Sequence, residues 1–146
     1  MIFYLDTSAL VKRYIREACS DDVIRIIEQS EAVGSSVLTR VEMAATFAKA
    51  VRLGWVEDKS ASRAWKDYLE HWPSFTRLVV SSGLVERASE LAWEYGLRGY
   101  DSMHFASALI WQNALASPIT LATFDRDLWV AAQKSGMDIW PSNLDI

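Results

Sequence analysis

Short apolar segments alternate with longer amphipathic segments along this chain, and this alternation is what most limits its fold. The short segments occupy residues 2–5, 32–35, 76–80 and 119–123, and a further one at 137–140 precedes Pro141. Their length and apolar character are typical of strands buried on both faces, the last being an edge strand. Strands that alternate with helices form a parallel sheet connected by right-handed crossovers. The sequence therefore predicts an α/β fold of three layers, with a central, mostly parallel sheet of four or five short strands and helices on both faces.

Capping residues and glycines divide the intervening segments into helices. Residues 39–42 match a capping box that opens a helix and gives Glu42 a structural explanation, and Ser82 is predicted to cap a later helix. The helix that begins at Asp101 is predicted to bury one face, formed by Met103, Ala106, Leu109 and Ile110. The predicted helices cover residues 9–14, 20 onward, 39–53, 59–71, 82–95, 101–110 and 126–134.

Composition sets outer bounds on the function. The 146 residues fit one domain, residues 1–146; 51% of them are hydrophobic, and no apolar run reaches the roughly 20 residues of a membrane span. The first residues lack a signal peptide, and a single cysteine, Cys19, excludes an intrachain disulfide, so we expect a cytoplasmic protein. The net charge of −4 argues against a broad basic surface that coats nucleic acid, but not against a nucleic-acid enzyme.

Four acidic residues recur where strands end or helices begin. Asp6 and Asp125 follow strands, whereas Glu42 and Asp101 lie in first helical turns. Any one of them is explained as a helix cap or first-turn acid. In a parallel sheet, however, all four can meet at the carboxyl ends of the strands, at the topological switch point. Converging carboxylates repel one another unless hard cations neutralise them, which predicts a magnesium or manganese site rather than a zinc site.

We expect a metal site of this kind to hydrolyse a phosphodiester bond. Two divalent ions about 4 Å apart can bind the scissile phosphate, activate water and stabilise the leaving oxygen. We assign metal binding chiefly to Asp6, Asp101 and Asp125, and either metal binding or water orientation to Glu42. Neighbouring hydroxyls, from Ser8 and Thr123, are predicted to hold the carboxylates by hydrogen bonds.

Four segments together resemble the PIN domain family: residues 2–10, 40–42, 100–106 and 123–125. Each motif is weak alone, but the ordered set spans the whole chain. In size and sequence the chain resembles the VapC-type toxins of toxin–antitoxin pairs. The resemblance implies a magnesium-dependent ribonuclease, usually a homodimer, that a small antitoxin holds inactive. It also implies that Asp6, Glu42, Asp101 and Asp125 occupy the positions of the family's acidic quartet, and that Ser8 and Thr123 occupy those of its polar neighbours.

Other residues allow two interpretations each. The basic residues Lys12, Arg13 and Arg16 either form a rim that binds RNA phosphates or a solvated helix face. His104 either contacts a substrate phosphate or is packed in the protein, the latter being favoured, and Asp127 is interpreted as a first-turn acid that points to water. The tryptophans within predicted helices are expected to serve core or interface packing; they are Trp65, Trp93, Trp111 and Trp129.

Two alternative functions stay open at this stage. A phosphatase or phosphotransfer domain would use Asp6 as its nucleophile, but such a domain needs an acid where this chain has Ser8 and a lysine after the fourth strand. A catalytically silent protein that binds RNA or another protein is the second alternative. The first would form a phosphoryl-enzyme on Asp6, and the second would bind without cleavage.

Overall fold

Strands and helices alternate along the whole of residues 1–145, which the computed structural model describes. Five strands and seven α-helices are found in this range. In chain order they are β1 (Ile2–Leu5), α1 (Thr7–Leu10), α2 (Ser20–Gln29), β2 (Ala32–Ser36), α3 (Leu38–Arg52), α4 (Asp58–His71), β3 (Thr76–Leu78), α5 (Ser82–Tyr95), α6 (Gly99–Leu115), β4 (Thr120–Ala122), α7 (Arg126–Lys134) and β5 (Asp138–Trp140).

The five strands form one sheet in the order β3-β2-β1-β4-β5, and every neighbouring pair is parallel. The chain first builds outward from β1 to β2 and β3, and then returns to the other side of β1 for β4 and β5. The direction of winding therefore reverses between β1 and β4, and the carboxyl ends of these two strands define the topological switch point. The predicted α/β fold with a parallel sheet is confirmed.

Two hydrophobic clusters lie on opposite faces of this sheet. Tyr4 packs with Leu121 and with side chains of α5, α6 and α7. Its neighbours Phe3 and Leu5 belong to the other cluster, together with side chains of α1, α3 and α4. Successive side chains of a strand point to opposite faces, so β1 contributes to both cores. Helices on both faces, as predicted, give the fold its three layers.

Helix starts differ from the prediction in several places; the helix predicted at residues 101–110, for example, spans Gly99–Leu115. The α3 helix begins at Leu38, with Val37 at the cap position and no cap hydrogen bond from its side chain, so Thr39 already lies within the first turn. The hydroxyl of Thr39 is bonded to that of Ser35, at 2.7 Å. The predicted capping box at residues 39–42 is therefore wrong, and the Glu42 side chain is released for other contacts. The cap of α5 is Ser81, whose Oγ accepts the Leu84 N–H, rather than Ser82. The predicted helix 9–14 is α1 followed by one 3-10 turn, Val11–Arg13.

The buried face of α6 also differs from the prediction. Of the four residues predicted to form it, only Ala106 is buried, and Ile110 is 37% exposed. The helix is instead covered on most sides. Ser102 and Ser107 can be buried there because their hydroxyls donate to carbonyls one turn earlier. Apolar periodicity does not count such residues.

The tryptophans divide between core and surface. Trp111 of α6 is buried against Gly34 of β2, where a Cβ would lie only 2.5 Å from the indole ring, so this strand and helix approach closely. Trp93 is 91% exposed on α5, so packing in the core is the wrong interpretation for that residue.

No helix within residues 1–145 combines the length and apolar character needed to cross a bilayer.

Candidate active site

Asp6 lies where β1 ends, and three donors hold its carboxylate. It caps α1, since Oδ1 accepts the Ala9 N–H at 3.0 Å, and the same oxygen accepts the Ser8 hydroxyl at 2.7 Å. Oδ2 accepts the hydroxyl of Thr123 at 2.5 Å. Asp6 is only 3% exposed. The cap prediction is thus correct for Asp6, and the same side chain joins the end of β1 to the end of β4.

The hydroxyls of Ser8 and Thr123 connect the two loops at the switch point. Thr123 Oγ1 accepts the Asp125 N–H at 3.0 Å, while Ser8 Oγ accepts the Phe124 N–H at 2.9 Å. Each hydroxyl therefore donates to Asp6 and accepts from the backbone that follows β4. This is the arrangement that the sequence-based hypothesis requires of these two residues.

Asp101 and Asp125 share one guanidinium group. Arg98 Nε donates to Asp101 Oδ2 at 3.2 Å, and its Nη2 donates to Asp125 Oδ2 at 3.1 Å. The other oxygen of Asp125 caps α7 through the Leu128 N–H, at 3.0 Å. Sequence reasoning missed Arg98, although an arginine three residues before an acid in a first helical turn is a readable signal for an ion pair.

Glu42 lies beside the histidine of α6. Its Oε1 accepts the Thr7 hydroxyl at 2.9 Å and is 2.7 Å from His104 Nε2. The other ring nitrogen, Nδ1, is 2.8 Å from the hydroxyl of Tyr4. His104 is only 2% exposed, and both of its nitrogens have protein partners. Contact with a substrate phosphate is therefore the wrong interpretation for His104, and the packed histidine is the correct one. Tyr4 was missed, because a strand tyrosine has an ordinary structural role. Thr7 stands out in the sequence as a hydroxyl beside Asp6, but its contact with Glu42 was not predicted.

The electrostatics of the cluster show a shortage of positive charge. Burial raises the pKa of Asp6, and hydrogen bonds and the nearby His104 only partly offset it. Burial also raises the pKa of Asp101, and the negative charge of Asp125 raises it further. For Glu42, burial is outweighed by the hydrogen bond to His104, by its charge and by the Thr7 hydroxyl, so that its pKa is lowered. Two of the carboxylates are thus ionised at a cost that a cation would remove.

The cluster fits a hard cation in the chemistry of its donors, but not in its present spacing. Carboxylates and hydroxyls are the oxygen ligands that Mg²⁺ and Mn²⁺ prefer, and Asp101 and Asp125 already share a single positive group. Within residues 1–145, however, no three side chains of His, Cys, Asp or Glu lie close enough together to hold a metal ion as they stand. Metal binding by these residues therefore requires local adjustment of their side chains.

The predicted basic rim is occupied by other contacts. Lys12 Nζ donates to the Ala18 carbonyl at 3.1 Å and lies 4.4 Å from the centre of the Phe124 ring. Arg16 pairs with Asp21 at 2.6 Å, and Arg13 Nη1 is buried without a hydrogen-bond partner among residues 1–145. RNA binding by Lys12, Arg13 and Arg16 stays a prediction, one that requires Lys12 and Arg16 to leave their partners. Asp127 is exposed in the first turn of α7, as its interpretation predicts.

Comparison with known proteins covers nearly the whole chain. A family model described as the PIN domain matches residues 3–134, a range that includes all four acids. Ribonuclease VapC45 of Mycobacterium tuberculosis is 30% identical over 145 residues, which are 99% of this chain and 98% of that protein. Among solved structures, PAE2754 from Pyrobaculum aerophilum matches with a TM-score of 0.65 at 26% identity, covering 95% of this chain and 83% of the other. A toxin-antitoxin complex from Klebsiella pneumoniae has the same fold, with a TM-score of 0.61 at 17% identity over 85% of this chain and 88% of the other.

Proposed function

Because this chain belongs to the PIN domain family, and to its VapC type, we propose that it is a ribonuclease that depends on a divalent metal ion and acts in the cytoplasm as the toxin of a toxin–antitoxin pair. The family and fold predicted from the sequence are confirmed. The observation that carries the proposed activity is the set of contacts that links three carboxylates across the switch point between β1 and β4: Thr123 joins Asp6 to the loop of Asp125, and Arg98 bridges Asp101 and Asp125. A cluster of this kind is costly for a metal-free protein, and it is the ligand set that hydrolysis of a phosphodiester bond by metal-activated water requires.

Each residue of the cluster has a proposed role. Asp6, Asp101 and Asp125 would hold Mg²⁺ or Mn²⁺, which when bound lowers the pKa of the attacking water and neutralises charge on the phosphate. Glu42 would bind the metal or orient the water through Oε2. Ser8 and Thr123 hold Asp6 in place by hydrogen bonds, and loss of such supporting contacts typically costs 10–100-fold in metal affinity or activity.

RNA is the proposed substrate, because the 30% identical relative is named a ribonuclease. Single-stranded or looped RNA is expected, since the deep and narrow major groove of A-form helices is closed to side chains. Lys12, Arg13 and Arg16 are proposed to contact its phosphates once their present partners are released.

A small antitoxin protein is the proposed partner, and the similarity to the fold of a toxin-antitoxin complex supports it. A homodimer is proposed on the family resemblance alone. Neither proposal is argued from the contacts of the acidic cluster, so the proposed cleavage chemistry is tested separately from them.

The activity is tested with end-labelled single-stranded RNA and purified protein. We expect cleavage with Mg²⁺ or Mn²⁺, and protection of the RNA when a chelator is in excess. Asp6→Asn should reduce cleavage by a factor on the order of 100 or more, since one metal ligand is lost while the Oδ1 that caps α1 is kept.

The matched control is Asp127→Asn, which removes the same charge from an exposed position and should cleave at the wild-type rate. Full cleavage in excess chelator would refute the metal mechanism. RNA binding without cleavage, equal in the wild type and Asp6→Asn, would identify a silent binding protein instead.

A further inference from the structure

We infer that Tyr4 and His104 are positioning residues, which through hydrogen bonds hold the Glu42 carboxylate so that one of its oxygens is free for the metal ion or its bound water. This inference rests on the proposed function, because it concerns the same metal site. It assigns a role to two buried side chains that lie outside the acidic quartet.

The three side chains form one chain of hydrogen bonds that is closed to solvent at its inner end. Tyr4, on β1, is fully buried, and its hydroxyl is 2.8 Å from His104 Nδ1. His104, on α6, is 2% exposed, and its Nε2 is 2.7 Å from Glu42 Oε1. Only Glu42, on α3, reaches partly exposed surface. This series of hydrogen bonds thus runs from Tyr4 in the sheet, through His104 on a packed helix, to Glu42 at the edge of the candidate site.

The chemistry of the donors gives this chain a direction. An ionised carboxylate can only accept hydrogen bonds, so Nε2 of His104 carries the proton that is shared with Glu42. A buried phenol keeps its proton, because burial raises the pKa of Tyr4 well above its usual value. In the neutral ring Tyr4 donates to Nδ1, and both hydrogen bonds point toward Glu42; in the protonated ring Nδ1 donates to the Tyr4 hydroxyl, and Nε2 still donates to Glu42. Each of the three groups then has a partner, and none is buried unsatisfied.

Both donors to Glu42 meet at the same oxygen. Thr7, on α1, donates its hydroxyl to Oε1 over a distance of 2.9 Å, and His104, on α6, donates its Nε2–H to the same oxygen. Oε2 accepts no hydrogen bond from residues 1–145. A glutamate without such contacts explores many rotamers and must be ordered when a ligand binds. Here that ordering is completed before the metal arrives, which is how preorganised sites gain affinity.

A histidine that only fills space in the core is the competing explanation, and two substitutions separate it from positioning. In His104→Gln the amide nitrogen stands where Nε2 stood, so the donor to Glu42 is kept. In His104→Asn the amide nitrogen stands where Nδ1 stood, so that donor is lost. Both variants replace the ring by a polar amide, so a defect due to lost packing would affect both. Tyr4→Phe keeps an aromatic ring and removes only the hydroxyl.

The experiment measures Mn²⁺ affinity by calorimetry on the RNA-free protein, together with a thermal melt without metal to verify folding. We expect His104→Gln to bind Mn²⁺ within about threefold of the wild type, and His104→Asn to lose roughly 10–100-fold, the usual effect of removing a partner of a metal ligand. Tyr4→Phe should lie between them. In a Glu42→Gln background, His104→Asn should cause no further loss, since its effect acts through Glu42.

Three results would overturn the inference: wild-type Mn²⁺ affinity in folded His104→Asn, an equal loss in the Gln and Asn variants, or an undiminished loss in the Glu42→Gln background. If His104→Asn does not fold, Tyr4→Phe decides, and wild-type affinity in that variant overturns it. A wild-type protein that binds no Mn²⁺ and cuts no RNA would instead refute the proposed function itself.

Discussion

Two parts of the acidic cluster are built in opposite ways. We call Tyr4, Thr7, Glu42 and His104 the buried corner, because Tyr4 and His104 are buried, and Arg98, Asp101 and Asp125 the exposed corner, because Arg98 is exposed. The carboxylates themselves are similarly accessible, with side-chain exposures of 24% for Glu42, 15% for Asp101 and 22% for Asp125. In the buried corner, hydrogen bonds from three elements orient one carboxylate. In the exposed corner, one guanidinium on a side chain that is 77% exposed holds two carboxylates. Directional hydrogen bonds orient the carboxylate of the buried corner, whereas ion pairs with Arg98 hold the two carboxylates of the exposed corner.

This difference has a physical consequence for metal binding. Hydrogen bonds in a buried network reinforce one another and resist rearrangement, whereas an exposed ion pair is weak and is screened by salt. We therefore expect the buried corner to keep its geometry when a metal ion binds, and the exposed corner to rearrange. We expect Arg98 to act as a provisional counter-ion that a divalent cation would displace.

The largest expected effect comes from removing a carboxylate of the exposed corner. At a free Mn²⁺ concentration of 100 times Kd, the free energy of unfolding of the wild type should rise by about 2.7 kcal/mol. In Asp125→Asn most of that rise should disappear, because a metal ligand is lost while Asn still caps α7. Urea denaturation with and without Mn²⁺ measures the rise. Asp127→Asn, the control, should keep it. An undiminished rise in Asp125→Asn would show that metal binding does not involve the exposed corner.

A smaller effect is expected in the metal-free protein on acidification. The pKa of Asp101 is raised in the folded state, so the folded protein takes up this proton at a higher pH than the unfolded chain does. The wild type should therefore gain stability as the pH falls from 7 through that raised pKa. Asp101→Asn, which has no proton to bind there, should gain less, by a difference on the order of 1 kcal/mol.

Denaturation of both proteins in chelator between pH 7 and pH 4 measures this difference. Asp6 also has a raised pKa and Glu42 a lowered one. The negative charge of Asp6 contributes to the raised pKa of Asp101, so the comparison measures Asp101 together with its coupling to Asp6. Identical pH profiles would mean that Arg98 already neutralises Asp101 fully.

The smallest effect concerns the provisional counter-ion itself. Arg98→Gln should raise Mn²⁺ affinity roughly two- to fivefold, because no guanidinium then competes with the metal and an exposed ion pair is weak. Calorimetry measures the affinity. The control is Arg87→Gln, which breaks an exposed pair with Glu90 on α5 and should leave metal binding unchanged. Lower affinity in Arg98→Gln would reverse the comparison, since Arg98 would then hold the ligands in place for the metal.

Local patterns were sufficient for the strands and most of the helices. The apolar segments 2–5 and 32–35 coincide with β1 and β2 to within one residue, and the predicted helix 126–134 is identical to α7. Strand length, cap residues and glycines act over a few positions, so these elements can be recognised from the chain alone. The capping box at residues 39–42 failed because α3 begins at Leu38, so that Thr39 lies within the helix rather than at its cap.

The positions of the four acids were also predictable, because parallel strands and their following helices bring their termini to one end of the sheet. The hydroxyl partners Ser8 and Thr123 were named from the sequence as well, but the contacts of His104 with Glu42 and of Arg98 with Asp125 were not. His104 lies 62 residues from Glu42 and 100 from Tyr4, and Arg98 lies 27 residues from Asp125. No periodicity or cap rule relates positions that far apart, and only the packing of α6 against the sheet brings them together.

The amino-acid sequence by itself determined the α/β layers, the family and the acids that gather at the switch point, because these depend on local propensity and on the general rules of parallel sheets. Only the tertiary structure decided that Glu42 is held by two donors on one oxygen while Asp101 and Asp125 share an exposed arginine. The reason is physical: the donor that a carboxylate finds depends on distances of about 3 Å between elements that are remote in the chain, and those distances exist only after the core has packed.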